Sequence, residues 1–123
     1  MNIWIMKNWD AYAAKIKNEI RPEDMLVLNG DDEQLLRQMA GVVCHTITYG
    51  YHLKSTVTIS AGEEDVTTGR MIYTIALQRP MLNCENRLLE PCEFLWSAPV
   101  DAAAQSVLAQ VAFFLVADVD FFL

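Results

Sequence analysis

Apolar residues recur early in the chain at the spacing of an amphipathic helix, and a short apolar run follows. The helix is predicted from side chains that repeat every three to four residues, at Trp9, Tyr12, Ile16 and Ile20. Asn8 is its expected N-cap, and Pro22 is expected to end it, since proline disfavours the α conformation in the preceding residue. Met25–Leu28 is continuously apolar, which is typical of a strand buried on both faces.

A second helix and a second strand are predicted between residues 31 and 48. Asp31, with Gln34 three residues later, begins a capping sequence for a short helix that Gly41 ends. Val42–Thr48 is rich in β-branched residues, which favour strands. A strand, a helix and a strand in this order predict a right-handed crossover between parallel strands.

The pattern then changes to alternation of apolar and polar residues, which predicts antiparallel strands. Residues 53–59 and 71–77 alternate on either side of a polar turn at 62–69, so they are expected to form a hairpin. A third strand is indicated by the alternating residues that follow Pro91: Cys92, Phe94 and Trp96.

A long apolar helix is predicted to close the fold, capped by Asp101 and continuing to about Ala117. Its most apolar part, Val107–Ala117, is shorter than the ~20 residues of a membrane span and contains Gln110, so a buried helix is expected. The predicted fold class is α/β, with a short parallel βαβ portion, a small antiparallel sheet of about three strands and a C-terminal helix. Residues 1–123 are expected to form one domain.

Composition and charge restrict the partners and the compartment. The 53% hydrophobic content supports a packed core. The net charge of −7 predicts repulsion of phosphate backbones and anionic lipids, so neither nucleic acid nor membrane is an expected partner. The three cysteines are an odd number without a CxxC pair, which favours a reducing cytoplasm over a disulfide-bonded secreted protein.

One turn has the residue types and the position of a ligand site. Asn29, Asp31 and Asp32 lie between a predicted parallel strand and a helix, and ligands of α/β sheets gather at such carboxyl ends. Carboxylates at a helix N-terminus also cap the helix and complement its dipole, and they would repel a phosphate unless a metal bridged them. Both interpretations stay open, and the capping interpretation is favoured.

No other cluster has the spacing of a catalytic or metal site. Gly50–Ser55 lacks the glycines of a phosphate loop. Cys44 and His45 are neighbours on a predicted strand, so their side chains point to opposite faces and cannot form a nucleophile pair. No catalytic residue, metal or cofactor is expected in the isolated chain, since the possible ligands show no structural-zinc spacing: Cys44, His45, His52, Cys84 and Cys92.

The order of these residues resembles the later part of the central domain of the Mur ligase family. Val27-Leu-Asn-Gly-Asp-Asp32 and Thr48-Tyr-Gly50 are similar to a family strand that ends in Asn-x-Asp-Asp and to the next strand, which ends in Tyr-Gly or Phe-Gly. The segment Asn8–Lys15 matches the helix that precedes the first of these strands. Leu53–Trp96 matches the small antiparallel sheet that follows, and Asp101–Ala117 matches the closing helix.

The resemblance implies a relationship to ATP-dependent amide ligases of peptidoglycan synthesis, but the parts that carry their chemistry have no counterpart here. The family's phosphate loop, magnesium-binding carboxylate and histidine, and modified lysine all lie upstream of the matched region. Ala103 and Ser106 stand near the places of the asparagines that approach the adenine in the family. The separate C-terminal domain of the family is also without a counterpart.

Three functions therefore remain open. The first is a non-catalytic Mur-ligase-like binding or assembly module. The second is a subunit of a split amide ligase whose ATP-binding half is another chain, which alone would bring ATP and magnesium. The third is a small acidic interaction or inhibitory protein.

Self-association as a homodimer is also expected, through the second half of the chain. Antiparallel strands leave an open edge on which a second copy can pair. The sequence ends on three apolar residues, Phe121, Phe122 and Leu123, and exposed apolar patches usually mark contacts.

Overall fold

The computed structural model describes residues 1–118, which fold into a mixed sheet with helices on both faces. The strands are β1 Ile3–Met6, β2 Met25–Asn29, β3 His45–Tyr49, β4 Val57–Asp65, β5 Arg70–Leu77, β6 Met81–Leu82, β7 Leu88–Leu89 and β8 Cys92–Pro99. The helices are α1 Ala11–Lys17, α2 Glu33–Met39 and α3 Ala104–Val116.

The main sheet has six strands in the order β1-β2-β3-β4-β5-β8. β1, β2 and β3 are parallel, whereas β4, β5 and β8 are antiparallel. The two portions join where β3 and β4 pair in parallel through Tyr49 and Val57. The predicted α/β fold class is confirmed, and its parallel and antiparallel portions belong to one continuous sheet.

The helices cover the two faces of the sheet unequally. α1 and α2 pack over Leu26 and Leu28 on one face of the parallel portion. On the other face, α3 packs against both portions, with Val27 and Ile75 in its cluster. β2 lies between these layers and is buried on both faces, which accounts for its continuous apolar sequence.

The antiparallel portion has one face outside both packed clusters. Side chains alternate along a strand, so those between the buried residues of β5 point away from α3. We call this surface the open face, and its central residues are Ala61, Ile72, Thr74, Ala76 and Leu95.

The predicted N-caps of α1 and α3 are wrong. α1 begins at Ala11, so its cap is Asp10 rather than Asn8, and the Asp10 carboxylate accepts a hydrogen bond from Ala13 N at 2.8 Å. α3 is capped by Ala103 rather than Asp101, without a side-chain hydrogen bond. The N-cap is the residue before the first helical residue. Polar side chains near the start of a helix do not show by themselves where that first residue lies.

Several element boundaries also differ from the expectations. α1 ends at Lys17, five residues before Pro22, which was expected to end it. The strand expected from residue 53 begins at Val57. β1 and the pair β6 and β7 were not predicted, because strands of two to four residues carry almost no periodic signal.

The predicted closing helix is present as α3, and it is buried along most of its length. Val107, Leu108 and Val111 are each at most 3% exposed. Within residues 1–118, no helix is both long and apolar enough to cross a membrane.

The hairpin of β6 and β7 is fastened to the end of α3 by a buried asparagine. Asn83 is 2% exposed, and its Oδ1 accepts hydrogen bonds from the backbone N–H groups of Glu85 and Arg87, each at 3.0 Å. Its Nδ2 donates to Asp118 Oδ1 at 2.8 Å, and Asp118 also forms an ion pair with Arg87. One side chain therefore shapes the hairpin and attaches it.

Replacing Asn83 by alanine is expected to lower the free energy of unfolding by about 1–3 kcal/mol, because the two N–H donors lose their buried acceptor. Urea unfolding measures this difference. Asn8→Ala is the matched control, since Asn8 is exposed and makes no side-chain hydrogen bond within the described residues, and its effect should stay within about 0.5 kcal/mol. Equal effects of the two substitutions would contradict the assigned role of Asn83.

Candidate functional site

The three predicted ligand residues lie together in the turn between β2 and α2, at the carboxyl end of β2. Asp32 is the N-cap of α2, and its Oδ1 accepts a hydrogen bond from Leu35 N at 3.0 Å. The prediction that Asp31 caps this helix is therefore wrong by one residue. The backbone at Asp32 is extended and α2 begins at Glu33, which leaves Asp31 outside the reach of the helix N–H groups.

Asp31 instead binds two segments that are distant in sequence. Its Oδ2 accepts hydrogen bonds from Tyr51 N at 2.8 Å and from Gln105 Nε2 at 2.6 Å. Its Oδ1 accepts a hydrogen bond from His52 N at 3.0 Å. The carboxylate thus joins the β2–α2 turn, the loop after β3 and the first turn of α3.

Asn29 holds the same turn from the side of β1. Its Oδ1 accepts a hydrogen bond from Asp31 N, and its Nδ2 donates to the carbonyl oxygen of Lys7, each at 3.0 Å. All three predicted ligand residues therefore use their side-chain oxygens within the fold.

Two glycines allow the turn and the loop after β3 to approach each other. Gly50 has φ +148°, and a Cβ atom there would lie 2.7 Å from the carboxylate of Asp31. A Cβ atom on Gly30 would lie 2.9 Å from Ser55 Oγ. The Gly30 N–H donates to the carbonyl oxygen of Tyr49 at 2.6 Å. Side chains at either glycine would push the two segments apart.

The loop after β3 arranges its backbone around an anion, and that anion is the protein's own carboxylate. Successive N–H groups of Tyr51 and His52 point at Asp31, which is the arrangement that anion-binding loops use for phosphate. In the segment Gly50–Ser55, which lacks the glycines of a phosphate loop, these donors therefore already have an internal acceptor.

Tyr49 lies directly behind this carboxylate and is 1% exposed. Burial, and secondarily the negative charge of Asp31, raise the pKa of Tyr49 to about 12. The phenol therefore stays protonated to a higher pH than an exposed tyrosine.

Sequence reasoning missed two polar residues of this site. Gln105 lies on α3, far along the chain, and nothing in the spacing of its neighbours indicates contact with Asp31. Ser55 is 1% exposed and its Oγ has no hydrogen-bond partner among the described residues. Only the folded arrangement brings both residues to the carboxyl end of β2.

The cysteines and histidines do not assemble with the turn. Cys44, Cys84 and Cys92 are free and lie on different parts of the structure. His52 Nδ1 accepts a hydrogen bond from Lys54 N within its own loop. In the part of the chain that the structure describes, no group of three or more possible metal ligands occurs.

A second polar centre lies at the opposite end of the parallel strands, beside a cavity of about 440 Å³. Asp24 is 1% exposed there. Its carboxylate accepts hydrogen bonds from Trp4 Nε1 at 3.0 Å, Arg21 N at 2.9 Å and Asn2 N at 2.8 Å. The bond from Trp4, followed by the two backbone bonds, lowers the pKa of Asp24 to about 2. Asp24 therefore ties β1 to the segment before β2.

Comparison with known proteins gives no assignment, because no family model and no curated protein matches the chain. The resemblance to Mur ligases, which extends from Asn8 to Ala117, stays a prediction from the sequence.

Asp31 and Asp32 are expected to differ in which amides they protect. Asp32→Ala should cost about 1 kcal/mol, through loss of the α2 cap. Asp31→Ala should cost about 1–3 kcal/mol, because two N–H groups lose a charged acceptor. Hydrogen exchange measured by NMR should accelerate at Tyr51 and His52 in Asp31→Ala. It should accelerate at Leu35 in Asp32→Ala. Asp101→Ala is the control, and faster exchange of Leu35 in Asp31→Ala would contradict the assignment.

Asp24 is expected to make the stability sensitive to acid. Its folded-state pKa lies below the ordinary value of 3.8, so its ionised carboxylate stabilises the fold above that value. This stabilisation is lost as the pH falls from 3.8 towards about 2. Urea unfolding of the unmodified chain and of Asp24→Asn at a series of pH values should give a stability difference that shrinks over this range. A difference independent of pH would contradict the prediction.

Proposed function

We propose that the chain is a non-catalytic, Mur-ligase-like domain that acts as a binding or assembly module in the cytoplasm. The observation that carries this proposal is the internal use of Asp31. This carboxylate lies at the carboxyl end of a parallel strand, where α/β proteins bind ligands. Its oxygens accept three hydrogen bonds from the protein itself, and these bonds support a structural role at the place where a catalytic role would be sought.

The open face supports assembly as the activity of the domain. Leu95 is 70% exposed in the middle of β8, and the register places it beside Thr74, which in turn lies beside Ala61. These side chains surround a shallow cavity of about 240 Å³. The exposed Leu95 beside this cavity, on a sheet face that neither packed cluster covers, supports a contact with another molecule here.

The split ligase remains the alternative, and one observation favours it. β1 lies at the edge of the parallel portion and pairs with β2 alone among the described strands. Its Ile5 is 36% exposed, so a strand from an ATP-binding chain could extend the parallel portion there. An adjacent reading frame that encodes Gly-Lys-Thr after a strand, and co-purification of its product with this chain, would support the alternative.

The isolated chain is expected neither to bind ATP with micromolar affinity nor to hydrolyse it. The donors of the loop after β3 already bind Asp31, and further anions would meet the charge of Asp31 and Asp32. Isothermal titration calorimetry with ATP and magnesium measures the binding. Micromolar binding of ATP to the purified chain would contradict the prediction, and an effect of Asp31→Asn without an effect of Asp101→Asn would place that binding at the turn.

A further inference from the structure

β8 is an edge strand with little of the protection that natural edges usually carry. It pairs with β5 alone among the described strands. Eight residues are available from Cys92 to Pro99, and Glu93 is the only charged residue among them. Natural edge strands are usually short, bulged or lined with lysine, since an unprotected edge pairs with other chains.

Two charges beside this edge form no ion pair within the described residues: Arg70 and Glu93. Arg70 lies on β5, and its Nε donates a hydrogen bond to Ser97 Oγ on β8 at 2.7 Å. The guanidinium therefore reaches across the open face to β8. Glu93 lies on the same face of β8, because its partner Ala76 shares the alternation of Ile72 and Thr74.

We propose that a second copy of this chain pairs with β8 in antiparallel orientation, about a two-fold axis at Leu95. When Leu95 faces Leu95 of the partner subunit, Glu93 faces Ser97 of the partner subunit. The Arg70 guanidinium, which donates to Ser97 within one copy, then lies beside the carboxylate of Glu93 of the partner subunit. The symmetry forms this contact twice, so Arg70 and Glu93 of each copy gain an ionic partner, in the case of Arg70 in addition to Asp65, which faces it within the sheet.

The charge pattern favours a second copy over an unrelated acidic or basic partner. Copies with a net charge of −7 repel each other, so association requires a surface on which the acidic excess is locally balanced. The β8 edge offers one cation and one anion, four residues of β8 apart at Ser97 and Glu93. An antiparallel two-fold matches each with its opposite, and such matching fixes register.

The exposed apolar residue lies at the centre of the same contact. Leu95 is 70% exposed and occupies the two-fold axis in this register. The pairing covers it with its own copy and continues the open face across both sheets. This inference rests on the proposed assembly function and names its partner as a second copy.

The test is the mass in solution and the response to charge reversal. Light scattering after size exclusion should give twice the chain mass of 13.9 kDa. Arg70→Glu and Glu93→Arg should each raise the dimer dissociation constant by at least about tenfold, because each places like charges together twice. An equimolar mixture of the two variants should associate again, and so should the double variant, since both arrangements restore opposite charges.

The controls make the same charge changes away from β8. Arg37→Glu and Glu19→Arg alter exposed residues near α2 and α1 and should leave the dissociation constant unchanged. Thermal melting establishes that every variant is folded. A monomer at high micromolar concentration overturns the proposal. Reversals with no more effect than the controls, or a mixture that fails to associate, also overturn it.

The apolar C-terminal residues that also predicted a dimer, Phe121, Phe122 and Leu123, lie outside the described residues. Their replacement by serine should leave the dimer intact. Loss of the dimer by these replacements alone, with no effect of charge reversal, overturns the pairing through β8. The ATP titration reports separately on the proposed function, since a monomer that does not bind ATP would reject only the second-copy inference.

Discussion

The carboxylate of Asp31 supports the join between the two portions of the sheet, together with the two hydrogen bonds that Thr48 and Thr56 exchange across it. β3 and β4 share a single parallel pair, Tyr49 with Val57, and the segment between these strands contains no helix. Parallel neighbours normally need a longer crossover, so the short loop must be held in place by other means. Asp31 holds it through Tyr51 N and His52 N, and it extends the same support to α3 through Gln105.

The connections between strands explain why the two portions of the sheet have different numbers of layers, since α1 and α2 connect the parallel strands whereas a turn joins β4 to β5. The parallel portion lies between α3 on one face and α1 and α2 on the other, whereas the antiparallel portion has only α3. Gly62 lets the ring of Tyr73 pack closely on the covered side, which a Cβ atom at 2.9 Å from that ring would prevent. The open face, on the opposite side, consists of small, apolar and polar residues. The parallel portion is therefore covered on both faces, whereas the antiparallel portion keeps the open face.

Sequence patterns located the elements well wherever periodicity was long. The hairpin of β4 and β5 follows from alternation over many residues, whereas the buried β2 and the closing helix α3 follow from continuous apolar runs. The patterns failed where one residue decides the outcome. Asp31 and Asp32 are chemically identical neighbours, and only the first helical residue determines which of them caps α2. Likewise, the bond between Asp31 and Gln105 depends on how α3 packs, which no local pattern encodes.

The close approach of Gly50 to Asp31 shows how a short sequence motif can have a steric cause. The residues that resemble the Mur ligases, an aspartate after one strand and a glycine after the next, are in contact here: any side chain at Gly50 would occupy the space of the Asp31 carboxylate. The two residues are distant in sequence, but the size of one limits the space of the other. Neither residue can change alone without disturbing the loop, whether or not the turn binds a ligand. A short motif of this kind can therefore report the architecture of a turn rather than an activity.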